Sequence, residues 1–392
     1  MLSLTKLLTS DAYLGDEYRY RSDSGSQLHG VAPGKGPVVV WNITHQCNLS
    51  CRHCYAEADF DRDRTELSTD EAHQAIDDLA DFKVPVILMS GGEPLCRQDF
   101  FELVEHAKAK GIRVTLSTNG TLIDEDTAKK IKASGIGYVG ISFDGMQAVN
   151  DAFRGVDGAF AQALQGVRNC RAVGQRTGLR FTINQNNYTE IPAVFDLLET
   201  EDIDRACFYH LVYSGRGSDI QNEDLSHAQT RAVMDQIIQR TLDLDARGKK
   251  KEILTVDNHA DGIYLYLKYK DSEPERAAYI KQMLSYNGGN RSGMAIACID
   301  PVGNVHPDQF TWQYTFGNVR DRRFGDIWTN VQDPILSKFK NRKALLPDRC
   351  KSCQYLSMCN GNFRTRAEAA TGDLWGFDPA CYLTEEECSK NL

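Results

Sequence analysis

Between residues 38 and 212, six short apolar runs alternate with amphipathic stretches, and this alternation decides what the chain can fold into. Strand candidates are 38–44, 84–89, 112–117, 137–143, 178–184 and 205–212. Helix candidates lie near 69–82, 98–110, 124–134, 159–173 and 189–199, and a sixth spans 226–246. Ser68 and Glu71 form a capping box at the first helix, and Gly111, Gly135 and Gly174 follow helical runs where a left-handed residue is expected. Strand–helix repetition predicts a parallel sheet with right-handed crossovers. The expected class is α/β, either a partial (β/α)6 TIM-like barrel or an open doubly wound sheet. In both, chemistry collects at the C-terminal strand ends.

The unusual residues fall on that rim. Cys47, Cys51 and Cys54 follow the first strand, within Cys47-Asn48-Leu49-Ser50-Cys51-Arg52-His53-Cys54. Ser90-Gly91-Gly92-Glu93-Pro94-Leu95 follows the second, and Ser117-Thr118-Asn119-Gly120 the third. Ser142-Phe143-Asp144-Gly145 ends the fourth and Asn184 the fifth. Chance alone would scatter such residues over both ends of a sheet. Three thiolates are one short of a closed tetrahedral zinc site or a filled cubane. A cubane held by three cysteines keeps one iron open to an exogenous ligand. A zinc loop completed by His45 or His53 is the alternative, and it leaves the other rim residues unexplained.

Hydrophobic content of 41% and charged content of 25% are those of a soluble globular chain. No stretch approaches the roughly 18 apolar residues of a membrane span, and no signal-peptide pattern opens the sequence. A net charge of −9 argues against general nucleic-acid affinity. Twelve cysteines in such a chain point to metal rather than disulfides, and a cytoplasmic location is expected. A second group, Cys350, Cys353, Cys359 and Cys381, has enough thiolates to saturate one cluster or one zinc, whereas Cys96, Cys170, Cys207, Cys298 and Cys388 are scattered. The expected organisation is an irregular lead-in over 1–37, a core over 38–235, a bridging segment over 236–290 and a small cysteine-ligated domain over 291–392. In the last, 295–299 and 303–306 read as a β-hairpin.

Cys-x3-Cys-x2-Cys followed by Tyr55 resembles the signature of the radical S-adenosylmethionine (SAM) superfamily. Gly91-Gly92-Glu93, Ser117/Asn119 and Ser142/Asp144 match that superfamily in order and placement. The resemblance implies a [4Fe–4S] cluster with one open iron, chelated by the methionine part of SAM, and a 5′-deoxyadenosyl radical. It implies that Gly91 and Gly92 approach the methionine amine with Glu93 bracing the loop, and that Arg154 pairs with the methionine carboxylate. Ser142, Asp144 and Asn184 would serve the ribose hydroxyls, and Tyr55 would lie near the adenine.

The C-terminal cysteines resemble the SPASM/twitch domain of the same superfamily, as do Gly317-Asn318-Val319 and Ile327-Trp328. Where the two-cluster form has further cysteines, this chain has Asp308 and Phe363. One auxiliary [4Fe–4S] cluster, fully ligated by Cys350, Cys353, Cys359 and Cys381, is therefore expected. Residues 288–293 and 303–310 resemble the tetrapyrrole-tailoring branch, above all its haem d1 biosynthesis members. That resemblance implies oxidative removal of propionate side chains from didecarboxysirohaem, with a flavodoxin or ferredoxin as electron donor; related haem-pathway enzymes act on similar iron tetrapyrroles. Arg291, Arg216, Arg364 and Arg366 are available for substrate carboxylates, and His306 for substrate iron or a carboxylate. A peptide-modifying maturase of the same architecture and a non-catalytic iron–sulfur carrier are the competing readings.

Overall fold

The computed structural model describes residues 1–9, 11–22, 27–60 and 65–389, so the last three residues of the expected C-terminal domain lie outside the described residues. Ten strands form one sheet: β1 (Leu2–Ser3), β2 (Val38–Asn42), β3 (Val86–Ser90), β4 (Arg113–Thr118), β5 (Val139–Ser142), β6 (Thr177–Ile183), β7 (Arg205–His210), β8 (Glu252–Val256), β9 (Ile296–Ile299) and β10 (Val305–His306). Their order is β1-β8-β7-β6-β5-β4-β3-β2-β9-β10. From β2 to β8 every neighbour is parallel, and β9 runs parallel along the other side of β2. The antiparallel strands β1 and β10 cover the two edges. The sheet is open.

The six expected strands are β2 to β7, and the expected helices form at Thr69–Asp81, Phe100–Ala109, Glu125–Ser134, Ala159–Ala172, Ile191–Thr200 and His227–Ala246. Ser68 and Glu71 cap each other's backbone N–H groups as the sequence predicts, and Gly135 closes its helix at φ +71°. Along β6, Leu179, Phe181 and Ile183 enter the main core beneath the helices. The alternate residues Gly178, Arg180 and Thr182 therefore face the other side of the sheet.

Two stretches are more ordered than the sequence suggests. Glu252–Val256, inside the expected bridging segment, is a seventh parallel strand with every residue buried. Five residues after a basic turn are too few to display a period. Glu252, fully buried, accepts ion pairs from Arg19, Arg176 and Arg205 at 2.9, 2.9 and 2.5 Å. The lead-in is likewise not wholly irregular, because Leu2 and Ser3 pair with Thr255 and Leu254. The hairpin of β9 and β10 pairs Ile299 with Val305 as expected. Phe316, Phe324, Trp328 and Phe339 of the C-terminal part join the same contiguous core as the sheet. No helix among the described residues is long and apolar enough to cross a membrane.

Candidate active site

One cavity takes wall residues from β2, β3, β4, β5, β6 and β7 and from Asp257 after β8. Six inter-strand steps of about 4.8 Å would spread a flat sheet over roughly 29 Å. Residues from both ends share one cavity only because the sheet curls, as an incomplete barrel does.

Cys47, Cys51 and Cys54 form one end of that cavity. Backbone bonds pin their loop: Cys47 N donates to Asp59 O at 2.8 Å, Arg52 N to Phe153 O at 3.0 Å and Arg216 Nε to Cys51 O at 2.8 Å. The sulfurs also attract donors. Leu49 N lies 3.4 Å from Cys47 Sγ, and Arg154 Nη1 lies 3.4 Å from Cys51 Sγ. Burial pushes the Cys47 thiol up to about 12, so a cationic partner is needed to hold it as thiolate at neutral pH. Among the described residues no three Cys, His, Asp or Glu side chains converge on a single ion. Three cysteines on one loop suit a cubane, in which each takes a different iron and one iron stays open. His53, a candidate fourth zinc ligand, instead stacks on Phe153 at 4.8 Å with Nε2 3.6 Å from Asp144 Oδ2, and burial lowers it to about 4.

The turn after β3 is locked against this loop. Gly92 N donates to Thr44 O at 2.8 Å and Glu93 N to Gln46 O at 2.7 Å. A Cβ on Gly92 would sit 2.1 Å from Gln46 O, and Gly91 has φ +139° with Thr44 O 2.6 Å from its would-be Cβ. Both positions require glycine. Glu93, wholly buried, accepts from Leu95 N, Thr118 Oγ1 and Asn119 N at 3.1, 2.7 and 2.7 Å. It joins the turn after β3 to the end of β4 and does not reach the cavity. Burial raises its carboxyl to about 7 against the pull of those donors.

The remaining residues proposed for SAM divide into wall and support. Tyr55, Gly91, Gly92, Ser117, Asn119, Ser142 and Arg154 line the cavity. Tyr55 gives its hydroxyl to Asn42 Oδ1 at 2.8 Å and presents its ring. Asp144 does not face the cavity: its carboxylate takes Arg154 Nη2 at 2.5 Å and Thr182 N at 3.1 Å. Asn184 is spent on its own turn, accepting from Asn186 N at 2.9 Å and donating to Thr182 O at 3.2 Å.

The substrate candidates from the sequence stand elsewhere. His306, 1% exposed, is held between Asp300 Oδ2 at 3.1 Å and Tyr314 O at 3.0 Å. Arg291 donates to Gln27 O and Gly30 O at 2.6 and 3.1 Å. Arg216 holds Cys51 O and Ala58 O, Arg364 holds backbone carbonyls including Gly376 O, and Arg366 pairs with Asp378. The described partners of these side chains are thus the protein's own carbonyls and carboxylates. Arg180, Tyr209 and Asp257 are among the wall residues that the sequence reading missed. The alternation of β6 could have shown Arg180, since a charged residue shares a face with Gly178 and Thr182 in a buried strand.

In the C-terminal part, Cys350, Cys353, Cys359 and Cys381 are half-buried within 32 residues of chain, a donor set suited to one saturated cluster. Gly289, at φ +71°, brings its loop against Cys359, where a Cβ would meet Cys359 carbon at 2.2 Å. Cys388 lies buried against this group, its thiol hydrogen-bonded with Cys353. Asp308 caps its own turn, accepting from Phe310 N at 2.9 Å and Thr311 Oγ1 at 3.0 Å. Phe363 packs on Phe310 at 5.4 Å, and Phe310 on Tyr55 at 5.0 Å. Aromatic rings thus fill the space beside the cavity where a second auxiliary cluster would need ligands.

A curled parallel sheet with three thiols at the tip of its first loop and a four-thiol C-terminal module defines an iron–sulfur enzyme of the SAM-cleaving type. The chain matches the Radical SAM superfamily over residues 41–198 and the SPASM iron–sulfur cluster-binding domain over residues 291–354, and it belongs to the radical SAM superfamily. It is 52% identical to the Fe-coproporphyrin III synthase of Methanosarcina barkeri, across 99% of this chain and 98% of that one. It is 44% identical to the pre-heme d1 synthase of Dinoroseobacter shibae, across 90% and 87%. Streptococcus suis SuiB bound to its precursor peptide SuiA shares the fold with a TM-score of 0.72 at 18% identity, over 89% of this chain and 76% of that one. The SAM-bound peptide complex of anSMEcpe does so with a TM-score of 0.68 at 18% identity, over 88% and 93%. The chain is thus a radical SAM enzyme that uses [4Fe–4S] clusters and SAM.

Proposed function

We propose that this enzyme removes acid side chains from the reduced rings of an iron tetrapyrrole, with an iron coproporphyrin as product. The observation that carries the reading is the 52% identity to an Fe-coproporphyrin III synthase over essentially the whole of both chains. An iron coproporphyrin bears only methyl and propionate side chains, so its formation from didecarboxysirohaem requires loss of acetate groups. The propionate loss expected from the haem d1 resemblance is the second reading, favoured by the 44% relative. Both reactions cut a carbon–carbon bond to an acid side chain and differ in which acid leaves.

In this reading Cys47, Cys51 and Cys54 hold the cluster with the open iron, and Cys350, Cys353, Cys359 and Cys381 hold the saturated one. When bound, the clusters and SAM supply the electron and the 5′-deoxyadenosyl radical that start the reaction, and a place for the electron left after side-chain loss. Gly91, Gly92, Ser117, Asn119, Ser142 and Arg154 orient SAM, with Glu93, Asp144 and Asn184 behind them. Phe310 and Tyr55 offer apolar faces to a macrocycle and exclude water. The electron donor is a flavodoxin or ferredoxin, and the setting is cytoplasmic. The working division keeps 38–235 as SAM core and 291–392 as auxiliary-cluster module, joined by 236–290.

The test is anaerobic turnover of reconstituted protein with didecarboxysirohaem, SAM and dithionite, followed by mass spectrometry. Iron coproporphyrin III with 5′-deoxyadenosine is the expected product. A product that has lost propionates selects the second reading, and an unchanged tetrapyrrole overturns both.

A further inference from the structure

Among the described residues, Arg180 is a cation of the cavity wall without an ion-pair partner. Its position on β6 places it on the inner face of the sheet with Thr182. The aliphatic stem crosses Gly140 of β5, where a Cβ would come within 2.9 Å of Arg180 Cδ. The guanidinium carbon stands 4.7 Å from the centre of the Tyr209 ring. Among the described residues, no carboxylate lies within ion-pair distance of it.

Among the described residues, the other arginines near the cavity are committed. Arg154 holds Asp144 and Cys51, Arg205 holds Glu252, and Arg366 holds Asp378. Asp257, on the same wall, has its backbone carbonyl taken by Arg366 Nη2 and leaves Oδ2 without a partner; it does not pair with Arg180. Stacked over the Tyr209 ring in the cavity wall, the guanidinium presents a planar fork of donors that matches a carboxylate. The π face of Tyr209 supplies only part of what solvent would. Gly140 makes room for the stem at the cost of strand stability, which suits a position selected for placing that fork.

We infer that Arg180, backed by the Tyr209 ring, anchors a carboxylate side chain of the substrate inside the cavity. The inference rests on the tetrapyrrole reading above and names one contact within it. SAM's own carboxylate is the weaker fit, because Gly91 and Gly92 end β3, three strands away from β6. A propionate or acetate held at Arg180 fixes the rotation of the macrocycle about its own normal. It thereby selects which ring faces the open iron.

Binding is measured by absorbance titration of anaerobic, cluster-loaded protein with iron coproporphyrin III and, in parallel, with its tetramethyl ester. Arg180→Met should weaken the free acid by about ten- to a hundredfold. It should leave the ester and SAM affinities within about twofold of wild type, while Arg180→Lys recovers part of the loss because it keeps charge without the fork. Unchanged acid binding by Arg180→Met overturns the anchor. So does an equal loss of acid and ester, which would mark a structural role, or a loss confined to SAM. Wild-type protein that binds neither tetrapyrrole overturns the proposed function and the anchor with it, whereas tight wild-type binding unaffected by Arg180→Met overturns the anchor alone.

Discussion

A buried carboxyl can be more revealing than an exposed thiol, and Glu93 is the clearest case. It is wholly buried and its carboxyl rises to about 7, because burial outweighs three donors. An acid whose folded pKa exceeds its unfolded value holds extra protons when folded. Its contribution therefore falls as pH rises from about 4.5 to about 7, and the loss is complete above that window. Asp257, raised to about 6 by burial, acts with the same sign. The Glu93 shift corresponds to at most roughly 3 kcal/mol. Thermal midpoints at pH 5.5 and 7.5 should thus differ less in Glu93→Gln than in wild type; equal differences would contradict the assignment. The cysteines make a separate prediction. Cys54→Ser should abolish 5′-deoxyadenosine formation while leaving the C-terminal cluster, so iron falls from about eight to about four per chain. Loss of all iron would show that the two sites are not independent.

Among the elements, the glycine turns carry the sharpest constraints. Gly92→Ala forces a Cβ to 2.1 Å from Gln46 O, and Gly289→Ala forces one to 2.2 Å from Cys359 carbon at φ +71°. Neither backbone neighbour can swing aside. The first change should cost N-terminal cluster occupancy and the second auxiliary occupancy, each read by iron content and electron paramagnetic resonance. The sequence made β2 to β7 and their helices legible because long apolar runs and 3.6-residue periods leave a strong local signal. β1 left little signal, since two residues display no period, and the sequence reading passed over β8 and the helix Gln147–Arg154. The two cysteine groups stand out in the sequence by their spacing. Asp144 and Asn184 were misplaced as cavity residues for a different reason: the rim position of a residue does not say whether its side chain turns outward or is consumed by a neighbour such as Arg154 or Asn186. The same holds for Arg291 and His306, which backbone carbonyls and Asp300 claim.

For the molecule as a whole, the ion-pair hub at Glu252 and the strand order matter most. Glu252 ties Arg19 of the lead-in, Arg176 before β6 and Arg205 of β7 to the start of β8. Glu252→Gln leaves the buried Arg205 guanidinium without its carboxylate and should destabilise the fold by about 3–5 kcal/mol, seen as a lowered thermal midpoint with cluster spectra intact below it. An unchanged midpoint would place the hub among ion pairs of no net worth. The order of the sheet also has a consequence for synthesis. β1 precedes its partner β8 in synthesis by roughly 250 residues, and β9 must still arrive to cover the free side of β2. At about 5–20 residues per second, the nascent chain carries unpaired strand edges for roughly 10–50 s before both flanks can close. Each newly made molecule therefore passes through an aggregation-prone interval set by the translation rate, which slower initiation or a lower growth temperature would make less crowded.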